Sequence, residues 1–141
     1  MERVRLMFRF KALLEDGLED LARIVTRHHG KTLEEARGEV RRGIEVVDFA
    51  CGAPTLLQGR TLRDVSAGVD QDLYRFQIGV AAGGPHCNFQ VLIPRWMFTI
   101  AIVAGNTRVN NLTERTPHGA YRRAENFNEA VSPDSSTKLV N

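Results

Sequence analysis

Residues 78–111 read IGVAAGGPHCNFQVLIPRWMFTIAIVAGNTRVNN, and the order of textures in this stretch decides the fold class. Ile78 to Gly84 is a short apolar run that closes on two glycines. Such a run is the pattern of a strand buried on both faces of a parallel sheet, because neither face has to meet water. Pro94 suits the first turn of a helix, where its missing N–H has no intrahelical partner to lose. The apolar RWMFTIAIVA from Arg95 to Ala104 is predicted to be that helix, and Gly105 ends it. NTRVNN beyond it is short and reads as the next parallel strand. Strand, helix and strand within about 30 residues make a βαβ unit. The class is therefore α/β.

Upstream, Met7, Phe10, Leu14, Leu18, Leu21 and Val25 recur at steps of three or four, with Arg9, Glu15, Glu19 and Arg23 between them. That spacing predicts one long amphipathic helix. His28-His29-Gly30 stops it, the glycine being suited to the left-handed position after a helix end. Thr32 and Glu35 are spaced as a capping box, so a second helix starts at once and runs towards Pro54. Its expected buried stripe is Leu33, Ala36, Val40, Val47 and Cys51. Two long helices joined by a tight glycine turn make a helical hairpin. From Thr61 the texture changes, and short alternation around Val65–Val69 and Leu73–Ile78 predicts strands. Residues 120–130 could form a helix, but Asn126 and Asn128 weaken it, and SPDSSTKLVN has the composition of a flexible terminus.

Composition narrows the function classes. The chain has 141 residues and is 43% hydrophobic, enough for an ordinary globular core. Its 19 basic and 17 acidic residues leave a net charge of +2, with none of the basic excess that nucleic-acid binders concentrate on one face. Lysine occurs only at Lys11, Lys31 and Lys138. The arginine bias is compatible with anion recognition but fits a GC-rich genome better. Two cysteines make no disulfide framework, the charged N-terminus is no signal peptide, and no apolar run approaches the roughly 20 residues of a membrane span. A soluble, cytoplasmic protein is expected.

Taken singly, the candidate residues have ordinary explanations. Neither GxGxxG nor GxxxxGK[ST] is present. Gly83-Gly84-Pro85 stands where a doubly wound sheet binds ligands, at the carboxyl end of its strands, but unaided it reads more readily as a structural turn. His86, Cys87 and His118 lack a metal-ligand spacing, so no metal is expected. Neighbours on an extended segment point to opposite faces, which argues against His86 and Cys87 as a nucleophile pair. His28 and His29 are expected to be solvated, and Cys51 to be a small buried hydrophobe. Arg41 and Arg42 read as a solvated helix face, and Trp96, Met97 and Phe98 as core.

Several longer stretches carry a resemblance. ARIVTRHHGKTLEEARGEVRRGIEVVDFACGAP (22–54), YRFQIGVAAGGPHCNFQ (74–90), IPRWMF (93–98) and AGNTRVNNLTERTP (104–117) resemble the aldehyde dehydrogenase superfamily. Within it they are most similar to the methylmalonate-semialdehyde dehydrogenases, from about residue 2 to about residue 134. The resemblance implies a partial doubly wound, Rossmann-like NAD-binding domain led by the helical hairpin. It divides into the hairpin at 2–59, strands of an oligomerisation type at 61–78, the βαβ unit at 78–111 and a degenerate helix and tail at 117–141.

The implied reaction is NAD-dependent oxidation of malonate or methylmalonate semialdehyde with acyl transfer to coenzyme A. Its partners are a small aldehyde, coenzyme A and either further copies of the chain or a missing C-terminal part, with no nucleic acid and no membrane. Such chemistry needs an activated thiolate, oxyanion stabilisation and a fixed cofactor.

Residue by residue, the resemblance makes Asn88 an oxyanion donor and Arg42 the partner of the substrate carboxylate. It places Pro85, Cys87, Asn111, Glu114 and Arg115 along NAD. Asn111 stands where the family has a lysine on the adenosine ribose, followed by Leu112 in place of proline. Gln77, Gln90 and Thr99 replace other prolines, and Cys87 replaces an aromatic. The family's catalytic cysteine belongs to a separate downstream domain that this chain is expected to lack, and neither Cys51 nor Cys87 matches it. The pyrophosphate loop is expected to be missing too. The chain alone is thus expected to bind NAD weakly and to be inactive; the alternative is a non-catalytic remnant acting through packing or oligomer contacts.

Overall fold

The structure is a computed structural model that describes residues 2–84, 89 and 92–110, with the backbone alone at residue 110. The chain opens with α1 (Glu2–Asp16) and α2 (Leu18–His29), followed by α3 (Leu33–Cys51) and the single turn α4 (Ala53–Leu56). An antiparallel ribbon follows, β1 (Arg60–Ser66) with β2 (Val69–Leu73), and then β3 (Val80–Gly83), α5 (Leu92–Val103) and β4 (Thr107–Asn110).

The expected first helix is two. Its hydrogen-bond ladder still runs through Gly17, whose N–H donates to the Leu13 carbonyl at 3.1 Å and whose carbonyl accepts from Leu21 N–H at 3.0 Å. Gly17 departs from helical geometry at φ −90°, ψ 11°, so the interruption is a local bend at the residue least committed to a helix. The apolar stripe survives it: Met7, Phe10, Leu14, Leu21 and Val25 are buried, and Leu18 is half-buried beside the bend. At Gly30 the backbone enters the left-handed region at φ 70°, and its N–H caps α2 on the Thr26 carbonyl at 2.9 Å. The capping box at α3 is formed, with Thr32 N–H to Glu35 Oε2 at 2.9 Å and Glu35 N–H to Thr32 Oγ1 at 3.3 Å.

Helix α3 is the hub, packing against α1, α2 and α5. Ala36, Val40, Val47 and Cys51 are buried as expected, while Leu33 is only half-buried at the helix start. The α1–α5 side closes on Phe10 and Phe98, whose rings meet edge to face with centroids 5.6 Å apart.

Pairing β3 with β4 in parallel, Val80 opposite Thr107 and Gly83 opposite Asn110, completes a strand–helix–strand crossover through α5. The strand expected to be buried on both faces is not. Val80 is 68% exposed and Ala82 is exposed, while Ala81 and Gly83 on the other face are covered. Among the described residues, the element packed on this two-stranded sheet is α5. The ribbon's boundaries also differ from expectation. The alternation around Val65–Val69 straddles the hairpin turn, where Gly68 has φ 75°, and Leu73–Ile78 lies mostly past the end of β2. A valine on each side of a tight turn mimics strand alternation, and only the pairing partner tells them apart.

Candidate functional site

On α3, Arg42, Glu45, Val46 and Phe49 recur at steps of three or four and share one outward face. On α5, Trp96 and Ile100 lie one turn apart and face the same way. Where the two helices pack, these six residues line a groove of about 450 Å³. Its walls are apolar: Phe49 is 61% exposed, Trp96 50% and Ile100 37%. Arg42 is the one cation of the lining. Its Nε donates to the Gly38 carbonyl at 3.3 Å, and it makes no ion pair among the described residues. A planar guanidinium held by its own helix beside aromatic walls can take a small carboxylate through its paired N–H groups while the walls cover an apolar body. Of the expected core trio, only Phe98 is buried; Trp96 and Met97 are exposed. The helix is apolar nearly all round, so hydrophobicity could not show which side meets α3.

Two buried charges went unseen in the sequence. Glu39 is 1% exposed and accepts from Lys31 Nζ at 2.7 Å, and Lys31 also sits 4.2 Å from the centre of the Phe89 ring. Arg95 is fully buried. The available signal was a charge standing alone between Pro94 and Trp96 in an apolar helix.

The second candidate region is the carboxyl edge of the parallel strands. Asn106 organises its opposite end: its Oδ1 accepts from the N–H groups of Ile78 (2.8 Å) and Gly79 (3.1 Å), and its Nδ2 donates to Ala101 carbonyl at 3.2 Å. At the carboxyl end the Arg108 guanidinium fills the place a Cβ on Gly83 would take, whereas a Cβ on Gly84 would meet no described residue within 4 Å. Burial holds the Arg108 pKa below its usual value. Pro85, Cys87, Asn88, Asn111, Glu114 and Arg115 all lie outside the described residues, as does the expected helix beyond Thr116. Of the expected site residues, then, the structure places Arg42 alone.

Cys51 is buried, and loss of water, followed by the nearby Asp48 carboxylate, pushes its thiol pKa up. A thiol held neutral is a poor nucleophile. His28 and His29 are half-buried rather than solvated. Among the described residues no group of three His, Cys, Asp or Glu side chains could hold a metal ion, and no helix is long and apolar enough to cross a membrane.

Comparison with known proteins places this geometry. The model of the aldehyde dehydrogenase family matches residues 1–141. A malonate-semialdehyde dehydrogenase of Geobacillus kaustophilus is 49% identical over 138 residues, covering 98% of this chain and 28% of that protein. One from Bacillus pumilus is 47% identical over 139 residues, covering 99% and 29%. Among solved structures, the methylmalonate-semialdehyde dehydrogenase of Oceanimonas doudoroffii aligns with a TM-score of 0.88 at 44% identity, over 92% of this chain and 27% of that one. A putative methylmalonate-semialdehyde dehydrogenase of Sinorhizobium meliloti, in complex with NAD, gives 0.86 at 38% identity, over 91% and 26%. The chain spans a little over a quarter of the length of these relatives.

Proposed function

The chain belongs to the aldehyde dehydrogenase family, and from that premise we propose that it supplies the carboxylate-recognising and NAD-facing part of a semialdehyde dehydrogenase. The reaction is the NAD-dependent, coenzyme A-acylating oxidation of malonate or methylmalonate semialdehyde. The observation that carries this reading is the groove in which Arg42 stands against the apolar walls of Phe49, Trp96 and Ile100. In that groove Arg42 holds the substrate carboxylate by a two-pronged, charge-assisted contact, and the walls exclude water from the carbon chain.

Gly84 stands at the carboxyl end of β3, where a doubly wound sheet takes its ligand, which is compatible with a dinucleotide there. Pro85, Cys87, Asn111, Glu114 and Arg115 would line NAD, which when bound supplies the hydride acceptor. Asn88 would donate to the developing oxyanion. With Asn111 in place of a lysine, NAD should bind no more tightly than about millimolar, near −4 kcal/mol. Calorimetry that returns a micromolar constant would overturn this assignment. Asn111→Lys alone should recover little, since one exposed hydrogen bond contributes about 0.5–1.5 kcal/mol.

A test of the groove uses the only tryptophan in the chain, Trp96. Methylmalonate, which carries the carboxylate without a reactive aldehyde, should perturb its fluorescence saturably, and Arg42→Ala should weaken that response about tenfold or more, the loss of a hydrogen bond to a charged group. An unchanged titration in Arg42→Ala would remove Arg42 from the site.

A second reading, a non-catalytic part acting through packing and oligomer contacts, is favoured by the state of Cys51, buried and held neutral. On either reading the chain by itself makes no NADH from malonate semialdehyde, NAD and coenzyme A. Turnover above a buffer blank that survives Cys51→Ser and Cys87→Ser together would contradict both.

A further inference from the structure

We infer that Gly43 and Arg95 form the contact that sets the width of the Arg42–Trp96 groove, which makes Arg95 a positioning residue for the bound carboxylate; the ligand in this inference rests on the reading of Arg42 given above. On α3 the buried Gly43 directly follows Arg42, and on α5 the fully buried Arg95 directly precedes Trp96. The two residues that meet inside the helix pair are therefore the sequence neighbours of the two that line the groove outside. A Cβ on Gly43 would come within 2.7 Å of Arg95 Nη1 and 3.1 Å of its Cδ, so the arginine side chain lies directly on the α3 backbone. Separation between packed helices is set by the side chains at their contact. Glycine here lets a long side chain act as the spacer without pushing α5 away.

The backbone that carries the spacer is also tied within its own helix. Thr99 is buried and its hydroxyl donates to the Arg95 carbonyl at 2.7 Å. Because consecutive helical residues are rotated by a fixed angle, a fixed inner contact between Gly43 and Arg95 fixes where Arg42 and Trp96 point. The side chains that bind and the side chains that space are thus different residues, one step apart on each helix.

The experiment reads Trp96 emission and the methylmalonate titration in the full chain, with Gly43→Ala, Arg95→Met and the double variant. Gly43→Ala is expected to shift Trp96 emission and to weaken methylmalonate binding about tenfold or more, the loss of one charge-assisted contact. Its melting temperature should move little, because the gain in helix propensity over glycine offsets the crowding. A residue that mattered only for stability would show the reverse pattern. Arg95→Met is expected to move Trp96 emission too and, by removing the spacer, to make a further Gly43→Ala silent, so the two effects are not additive. Unchanged emission and affinity in both single variants with helical circular dichroism intact, or strictly additive effects in the double variant, would overturn the inference. If Gly43→Ala loses its helical signal, Arg95→Met, which adds no bulk at the contact, decides alone. If the unmodified chain fails to respond to methylmalonate, the carboxylate reading of Arg42 fails, while Trp96 emission still decides whether Gly43 and Arg95 set the groove.

Discussion

Lys31 and Glu39 show how much one residue can depend on a partner that sequence spacing does not reveal. Glu39 is 1% exposed, and its carboxylate is matched by Lys31 Nζ at 2.7 Å across the α2–α3 turn. Lys31→Met leaves that carboxylate buried beside an apolar group. Because the Lys31 side chain is itself 24% exposed, water can still reach the site, and the expected cost is about 1–3 kcal/mol, below that of breaking a fully buried pair. The midpoint of urea unfolding measures it; a change under about 0.5 kcal/mol, the range of ordinary surface substitutions, would mean that Glu39 is satisfied without Lys31. Cys51 offers a second check. Its thiol pKa is raised by burial, so alkylation mapped by mass spectrometry should be much slower in the native chain than in the denatured one. The rise also has a sign for stability. The unfolded chain loses the proton first, so stability falls as pH climbs from the ordinary thiol value of 9.0 towards the higher folded value. Cys51→Ala should flatten that fall.

Elements were legible where their signals are local. The Thr32/Glu35 capping box spans three residues, and α3 begins there in the structure as the spacing predicts. Thr32→Ala removes the hydroxyl that accepts from Glu35 N–H and should cost about 1 kcal/mol. Hydrogen bonds from the Thr32 hydroxyl, and then from its backbone, hold Glu35 below its ordinary value of 4.5. A carboxylate with a lowered folded pKa stabilises above its unfolded pKa and loses that contribution as pH falls through the folded one. The difference in melting temperature between wild type and Thr32→Ala should therefore be constant at neutral pH and shrink below about the ordinary carboxylate value. A difference that does not change with pH would show that the Glu35 charge is not involved. Gly30→Ala isolates backbone strain, since φ is 70° and a Cβ there meets no described residue within 4 Å; about 1–2 kcal/mol is expected for a left-handed alanine. The Gly17 bend and the limits of the ribbon were not legible, because both depend on what packs or pairs opposite.

At the scale of the molecule, the β1–β2 ribbon has two unlike sides. Thr61 and Asp72 face one another with Thr61 Oγ1 donating to Asp72 Oδ1 at 2.6 Å, and Arg63 pairs with Asp70 on the same strands. Leu62 and Leu73 fall on the alternate positions and are 51% and 44% exposed. Past the ribbon, Tyr74, Phe76 and Ile78 are 70%, 81% and 87% exposed. Apolar surface of this extent, together with strand edges that no described residue pairs, favours association, at about 25 cal/mol per Å² buried. Light scattering at low micromolar concentration should report a mass well above 15.8 kDa, and Leu62→Lys with Leu73→Lys should lower it. A monodisperse, cooperatively unfolding monomer would mean that these surfaces need no cover.

Legible in the sequence were the order of helices and strands, the ends at Gly30 and Thr32, the stripe of Met7, Phe10, Leu14, Val25, Val40 and Val47, and the parallel direction of β3 and β4, because periodicity, capping and crossover length act over a few residues or one βαβ unit. It also carried the family, through runs of matching residues that need no coordinates. Tertiary structure decided which face of the all-apolar α5 meets α3, and with it that Trp96 lines a groove while Phe98 fills the core. It decided that Arg95 is buried on Gly43 and that Glu39 is buried on Lys31. It also left Val80 open to solvent, against the expectation for a strand of its composition. Burial is a property of what lies opposite, and a single chain's local pattern records only whether a residue can tolerate cover, not whether cover comes.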